Sequence, residues 1–163
     1  MKNNVRSEVQ FARTYPYYIK LGGRPASFQQ AFSFLVTVSA QKKINAMTGM
    51  SVDLVGLDKI ASKILKTKKQ SGDKIAMVLR NLVNQFKKDL ALQKTKLVRV
   101  EFVECRGGSY LFTDKKMLFV RQDHATDEAG DLFEVRSYFN QKNALIRLDL
   151  KNLKLGLSEQ IIF

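Results

Sequence analysis

The chain is 163 residues long, 45% hydrophobic and 10% aromatic, and carries a formal charge of +13. That length holds one domain, or one domain with an extension, and the apolar content excludes a disordered chain. The longest apolar runs, such as Met117-Leu118-Phe119-Val120, fall far short of the ~20 residues of a membrane-spanning helix, so no membrane partner is expected.

Met1-Lys2-Asn3-Asn4-Val5-Arg6 lacks the apolar stretch of a secretory leader. Cys105 is the single cysteine, which rules out an internal disulfide and suits a reducing compartment. A cytoplasmic location is therefore expected. Charge is unevenly spread: residues 1–111 hold 20 Lys/Arg against 7 Asp/Glu, whereas residues 112–163 hold 8 of each. This shift is the one candidate boundary, dividing residues 1–112 from a C-terminal extension, 113–163, packed on the same domain. The basic excess points to an anionic partner or to solubilising charge on the outside of an oligomer.

In chain order, residues 1–21 read as a strand with the aromatic cluster Tyr15-Pro16-Tyr17-Tyr18, and Gly22-Gly23-Arg24-Pro25 is turn chemistry. Phe28 to Ala40, rich in β-branched and aromatic residues, reads as a second strand. A helix is expected from Asp53 to about Lys66, because Leu54, Leu57, Ile60, Ala61, Ile64 and Leu65 share one face. Lys59, Lys63 and Lys66 lie together on another. After Gln70-Ser71-Gly72, Asp73 can cap a second helix whose core face is Ile75, Leu79, Leu82, Val83, Phe86 and Leu90.

Leu97 to Glu104 returns to strand, with Val98, Val100 and Phe102 alternating against Arg99 and Glu101. Gly107-Gly108 is a turn, and Ser109 to Phe112 starts the partner of a hairpin. A β-meander follows over Met117–Arg121, Leu132–Phe139 and Ala144–Leu150, the last with Ala144, Ile146, Leu148 and Leu150 on one face. The order β-β-α-α-β-β with a β-rich tail predicts an α+β fold with antiparallel pairing.

Leu35-Val36-Thr37-Val38, a nine-residue loop, and Thr48-Gly49-Met50-Ser51-Val52-Asp53-Leu54-Val55-Gly56-Leu57-Asp58-Lys59 together resemble a known pattern. It is that of the 6-pyruvoyl-tetrahydropterin synthase and 6-carboxytetrahydropterin synthase family. Ser71-Gly72-Asp73-Lys74-Ile75-Ala76 is similar to the family's second helix start, and Val103-Glu104-Cys105 to the V-E-T that ends its third strand. The resemblance spans about residues 5–112. It implies the tunnelling fold, a four-stranded antiparallel sheet with two helices on one face, whose subunits join sheets into a barrel.

The family's catalytic set does not carry over. Its H-G-H zinc pair falls on Phe28 and Gln30, its third zinc histidine on about Tyr15, and its cysteine on Arg24. Its Asp-His segment falls in the gap between Lys66 and Gln70. Zinc held by three imidazoles needs three histidines and this chain has one, so no metal or other cofactor is expected. Asp123-His124-Ala125-Thr126-Asp127-Glu128 mimics family motifs out of order and reads as a solvated loop. Cys105 reads as a small buried residue at a strand end, with Arg106 its one local cation.

Glu104 alone matches a functional position, the glutamate that grips the N–C–N edge of a pterin. It shares parity with Val98, Val100 and Phe102, so its carboxylate needs a partner. That partner is either such a ring or a lysine, unless the strand ends in water. The expectation is a diverged, non-catalytic homo-oligomer with a pterin- or purine-type pocket at Glu104. A module binding nucleic acid non-specifically through Lys59, Lys63 and Lys66 is the second reading. A pterin-family lyase with a rearranged active site is the third.

Overall fold

The computed structural model describes residues 8–22, 29–43, 54–66, 74–142 and 145–163. Two long strands open the chain, β1 (Glu8–Gly22) and β2 (Gln29–Lys43), followed by helices α1 (Leu54–Leu65) and α2 (Ile75–Leu92). Seven strands follow: β3 (Thr95–Glu104), β4 (Ser109–Thr113), β5 (Met117–Arg121), β6 (His124–Asp127), β7 (Leu132–Phe139), β8 (Leu145–Asn152) and β9 (Ser158–Ile162). They form one antiparallel sheet in sequence order, β1 to β9. The fold is α+β, and the described residues form nine strands where the resemblance implies four. The expected boundary at 112/113 falls inside β4, whose ladder continues directly into β5.

Both helices pack on one face of β1–β4. That face carries Tyr17, Ile19 and Leu21 from β1, the even residues Phe32 to Ala40 from β2, Val100 and Phe102 from β3, and Phe112 from β4. Leu57, Ile60, Ala61 and Ile64 of α1 meet it, with Val78, Leu79, Leu82, Phe86 and Leu90 of α2. Period-two strands and period-3.6 helices thus place their apolar stripes against each other. Within α2, Val78 takes the fully buried place while Ile75 and Val83 are only partly buried. Lys74 precedes α2 at the cap position without a side-chain cap bond; Asp53 and Asp73 lie outside the described residues.

A second core lies on the other face. Leu111 of β4 joins Leu118, Ala125, Phe133, Val135, Leu148, Leu150 and Ile161. The late strands fold back toward β3: the Arg99 guanidinium donates to the Leu145 carbonyl at 2.9 Å and lies 4.7 Å from the Phe163 ring. Burial lowers the Arg99 pKa and raises that of Glu101, its neighbour on the same face.

Two expected alternations are interrupted. The β2–β3 register shifts at Ser39/Ala40, pairing Ser39 with Arg99 and Ala40 with Leu97. Val98 is the extra residue, so Leu97, rather than Val98, packs on the helix-side core. Likewise the β7–β8 register shifts at Tyr138/Phe139, and Ile146 is passed over. Leu145 therefore packs on the second core while Ile146 stays exposed; Ala144 lies outside the described residues. Strand β6, starting at His124, replaces the expected loop, and β9 is a further strand.

Tyr17 is only 5% exposed, and its hydroxyl has no hydrogen-bond partner among the described residues. Burial pushes the phenol up to about 12. A desolvated, unpaired hydroxyl opposes folding, so Tyr17→Phe is expected to stabilise by about 1 kcal/mol. Urea unfolding checks this; a loss of stability would mean that the hydroxyl has a partner in solution.

Candidate functional site

Glu104 closes β3 opposite Phe34 of β2. The turn beyond it is tight: the Glu104 N–H donates to the Gly108 carbonyl, and the Gly107 N–H donates back to the Glu104 carbonyl. Both glycines have positive φ, 109° and 84°, a region side chains disfavour. At Gly108 a Cβ would also press to 3.2 Å on the Phe119 ring. The Cys105 N–H, donating to the Ser33 carbonyl, extends the β2–β3 ladder one residue past Glu104.

The Glu104 side chain is 13% exposed. Arg106 meets it, with Nε at 2.9 Å and Nη2 at 2.8 Å, both on Oε1. The same guanidinium donates to the Ala31 carbonyl at 3.1 Å and sits 5.7 Å from the Phe32 ring. Aromatic rings line this end of the sheet. Phe32 stacks on Phe34 at 5.9 Å, Tyr110 meets Phe34 edge-on at 6.3 Å, and Phe119 lies 4.7 Å from Tyr110. Burial, then the Glu104 charge, raises the Tyr110 phenol pKa. The result is a carboxylate among aromatic faces whose one close cation among the described residues offers it a planar N–C–N edge. Of this group only Glu104 stood out in sequence; Arg106 was noted beside Cys105, and Tyr110 carried no signal.

Tyr15, which the resemblance set at about the position of a zinc histidine, bonds to a carboxylate instead. Its hydroxyl donates to Asp58 Oδ1 at 2.6 Å, and Arg13 donates to both Asp58 oxygens at 3.3 and 3.1 Å. These bonds tie β1 to α1 and hold the Asp58 carboxyl below its usual range, Arg13 contributing most. Burial and the bond to Asp58 raise the Tyr15 phenol pKa. Arg24, Phe28 and the Gln30 side chain lie outside the described residues.

Among the described residues no group of three His, Cys, Asp or Glu could hold a metal. His124 is exposed, with Nδ1 2.8 Å from Asp123. Cys105 is exposed rather than buried, because it sits where β3 leaves the sheet. Lys59 and Lys63 of α1 and Lys66 just past its end are all exposed. No described helix is long and apolar enough to cross a membrane. Comparison with protein-family models, with curated proteins and with solved structures finds no match to this chain.

Proposed function

We propose that this chain is a diverged tunnelling-fold-like protein, related to the tetrahydropterin synthases but zinc-free and non-catalytic. It binds a planar heterocycle of pterin or guanine type at Glu104 and assembles with copies of itself. The element order β1-β2-α1-α2-β3-β4, antiparallel throughout with both helices on one face, supports the fold reading. The observation that carries the pocket is the Arg106–Glu104 contact. Nε–Cζ–Nη2 of a guanidinium is an N–C–N edge, the donor pattern of a pterin or guanine ring. On this reading Arg106 stands in for such a ring. A carboxylate can take such an edge by two parallel bonds, one to each oxygen, whereas Arg106 brings both its donors to Oε1.

The test is calorimetry with a pterin and with guanine. Glu104→Gln is expected to lose about one to two decades of affinity, the size of a charge-assisted contact. An amide presents an NH2 donor where the ring also donates. Arg106→Met is expected to bind tighter, because the internal competitor is gone. Equal binding by wild type and Glu104→Gln, or none by Arg106→Met at millimolar concentration, would remove the pocket. Close to one tightly held zinc per chain would remove the zinc-free reading.

Self-association is expected through the two ends of the ladder, since β5 already covers β4. β1 is 15 residues long and carries Pro16 mid-strand, which sheets tolerate at an edge. An 18.6 kDa species in light scattering at micromolar concentration would count against assembly. The exposed lysines of α1 favour a second reading, non-specific nucleic-acid binding. It requires affinity that falls steeply with salt and is lost on reversing Lys59, Lys63 and Lys66 to Glu.

A further inference from the structure

A cleft of about 240 Å³ lies between α2 and the β4–β5 turn, away from Glu104. One wall is a helical stripe at spacings of three, four and seven residues, Arg80, Val83, Asn84 and Lys87; the other is Asp114-Lys115-Lys116. Leu97, Phe112 and Met117 add apolar lining beside Val83, and Arg99 and Glu128 also line the cleft. Two of its cations are already satisfied: Arg80 lies 2.6 Å from Glu128, and Lys116 pairs with Glu159. Lys87 and Lys115, on opposite walls, make no ion pair among the described residues.

The fold therefore brings two ammonium groups to one partly apolar cleft in which, among the described residues, neither has a carboxylate partner. Asp114 and Glu128, which also line the cleft, moderate this field, and among the described residues neither pairs with Lys87 or Lys115. Two cations lining one cleft raise the affinity for an anion that both can reach. A phosphate dianion matches two ammonium donors, and the apolar lining matches a small organic body joined to it.

We infer that this cleft is a binding site for a small phosphate monoester with an apolar or planar body, its phosphate bridging Lys87 and Lys115. The site shares no residue with the Glu104 pocket. Phenyl phosphate and inorganic phosphate serve as probes, followed by amide chemical shifts of the full chain. Phenyl phosphate is expected to move the resonances of Lys87, Lys115 and their neighbours at sub-millimolar concentration. Inorganic phosphate should bind about tenfold more weakly, since it leaves the apolar lining bare. Lys87→Gln and Lys115→Gln should each weaken phenyl phosphate roughly tenfold, with melting curves confirming that both variants fold.

Lys59→Gln and Glu104→Gln should leave that binding unchanged, which separates this site from the α1 lysines and from the heterocycle pocket. Three results would each overturn the proposal. One is unchanged binding by the Lys87 and Lys115 variants. Another is equal weakening by Lys59→Gln, the mark of diffuse charge. The third is affinity for single-stranded nucleic acid without affinity for phenyl phosphate.

Discussion

Phe34→Ala is expected to destabilise the protein by about 3–5 kcal/mol, the range for emptying a buried aromatic site. Phe34 is 1% exposed and sits mid-strand in β2, where neither the ladder nor α2 can collapse to fill the void. Its ring meets Tyr17, Phe32, Phe102 and Tyr110 at centroid distances of 5.9–6.4 Å. Each such pair adds about 0.5–1.5 kcal/mol beyond buried area. Single domains are stable by roughly 5–15 kcal/mol, so the loss is a large share of the total. The urea midpoint should fall with little change of slope. Phe139 is 58% exposed on β7, and Phe139→Ala should stay within about 0.5 kcal/mol of wild type. Equal effects of the two substitutions would show that this aromatic row is not the centre of the core. Phe34 also faces Glu104 across the ladder.

What sequence made legible follows the strength of each local pattern. The helices announced themselves, since Leu57, Ile60, Ala61 and Ile64, and Leu79, Leu82, Phe86 and Leu90, repeat at helical spacing and are all buried. Strands β2, β3, β5 and β7 carried enough β-branched and aromatic residues to be read. Strand β6 did not, because only Ala125 of its four residues is buried. Strand β9 likewise buries only Ile161. Conversely, Leu153, Leu155 and Leu157 alternate like a strand but stand exposed between β8 and β9. There the Asn152 side chain accepts the N–H groups of Lys154 and Leu155, and Gly156 takes a positive φ. Such a turn is fixed by hydrogen bonds, which hydropathy does not register. Bulges at Val98 and Ile146 were invisible for a related reason: each reverses parity within a run that reads as regular.

The site divides in the same way. The parity of Glu104 was legible, because a strand fixes which way each side chain points. Its bond to Arg106, two residues on, required the reversal at Gly107 and Gly108. The tether joining Arg13 and Tyr15 to Asp58, more than 40 residues away in sequence, exists only once α1 lies on the sheet. The cleft below α2 is the extreme case. Its helical stripe could be read, but the opposite wall is a turn whose approach depends on how β4 and β5 curl.

Ending the chain at Asp114 is expected to give protein that aggregates instead of folding to a soluble core. The deletion leaves β1–β4 and both helices, the unit proposed above to be tunnelling-fold-like, yet it removes what covers them. Strand β4 loses β5, exposing a row of unpaired backbone donors and acceptors, a template for association. Leu111, 2% exposed in the whole chain, loses every other member of its core. Arg99 loses the Leu145 carbonyl and the Phe163 ring. An open edge beside a newly bared apolar face is the combination that drives non-specific assembly. Light scattering and near-ultraviolet circular dichroism check the outcome. A soluble monomer with a cooperative melt would show that residues 115–163 are a dispensable addition. A discrete, soluble, symmetric assembly would mean something else: β4 of one copy pairs with β1 of the next. The extension would then be the element that blocks a ring in the intact chain. Self-association of that chain would be left to β1 and β9, and light scattering of the two forms side by side separates these arrangements.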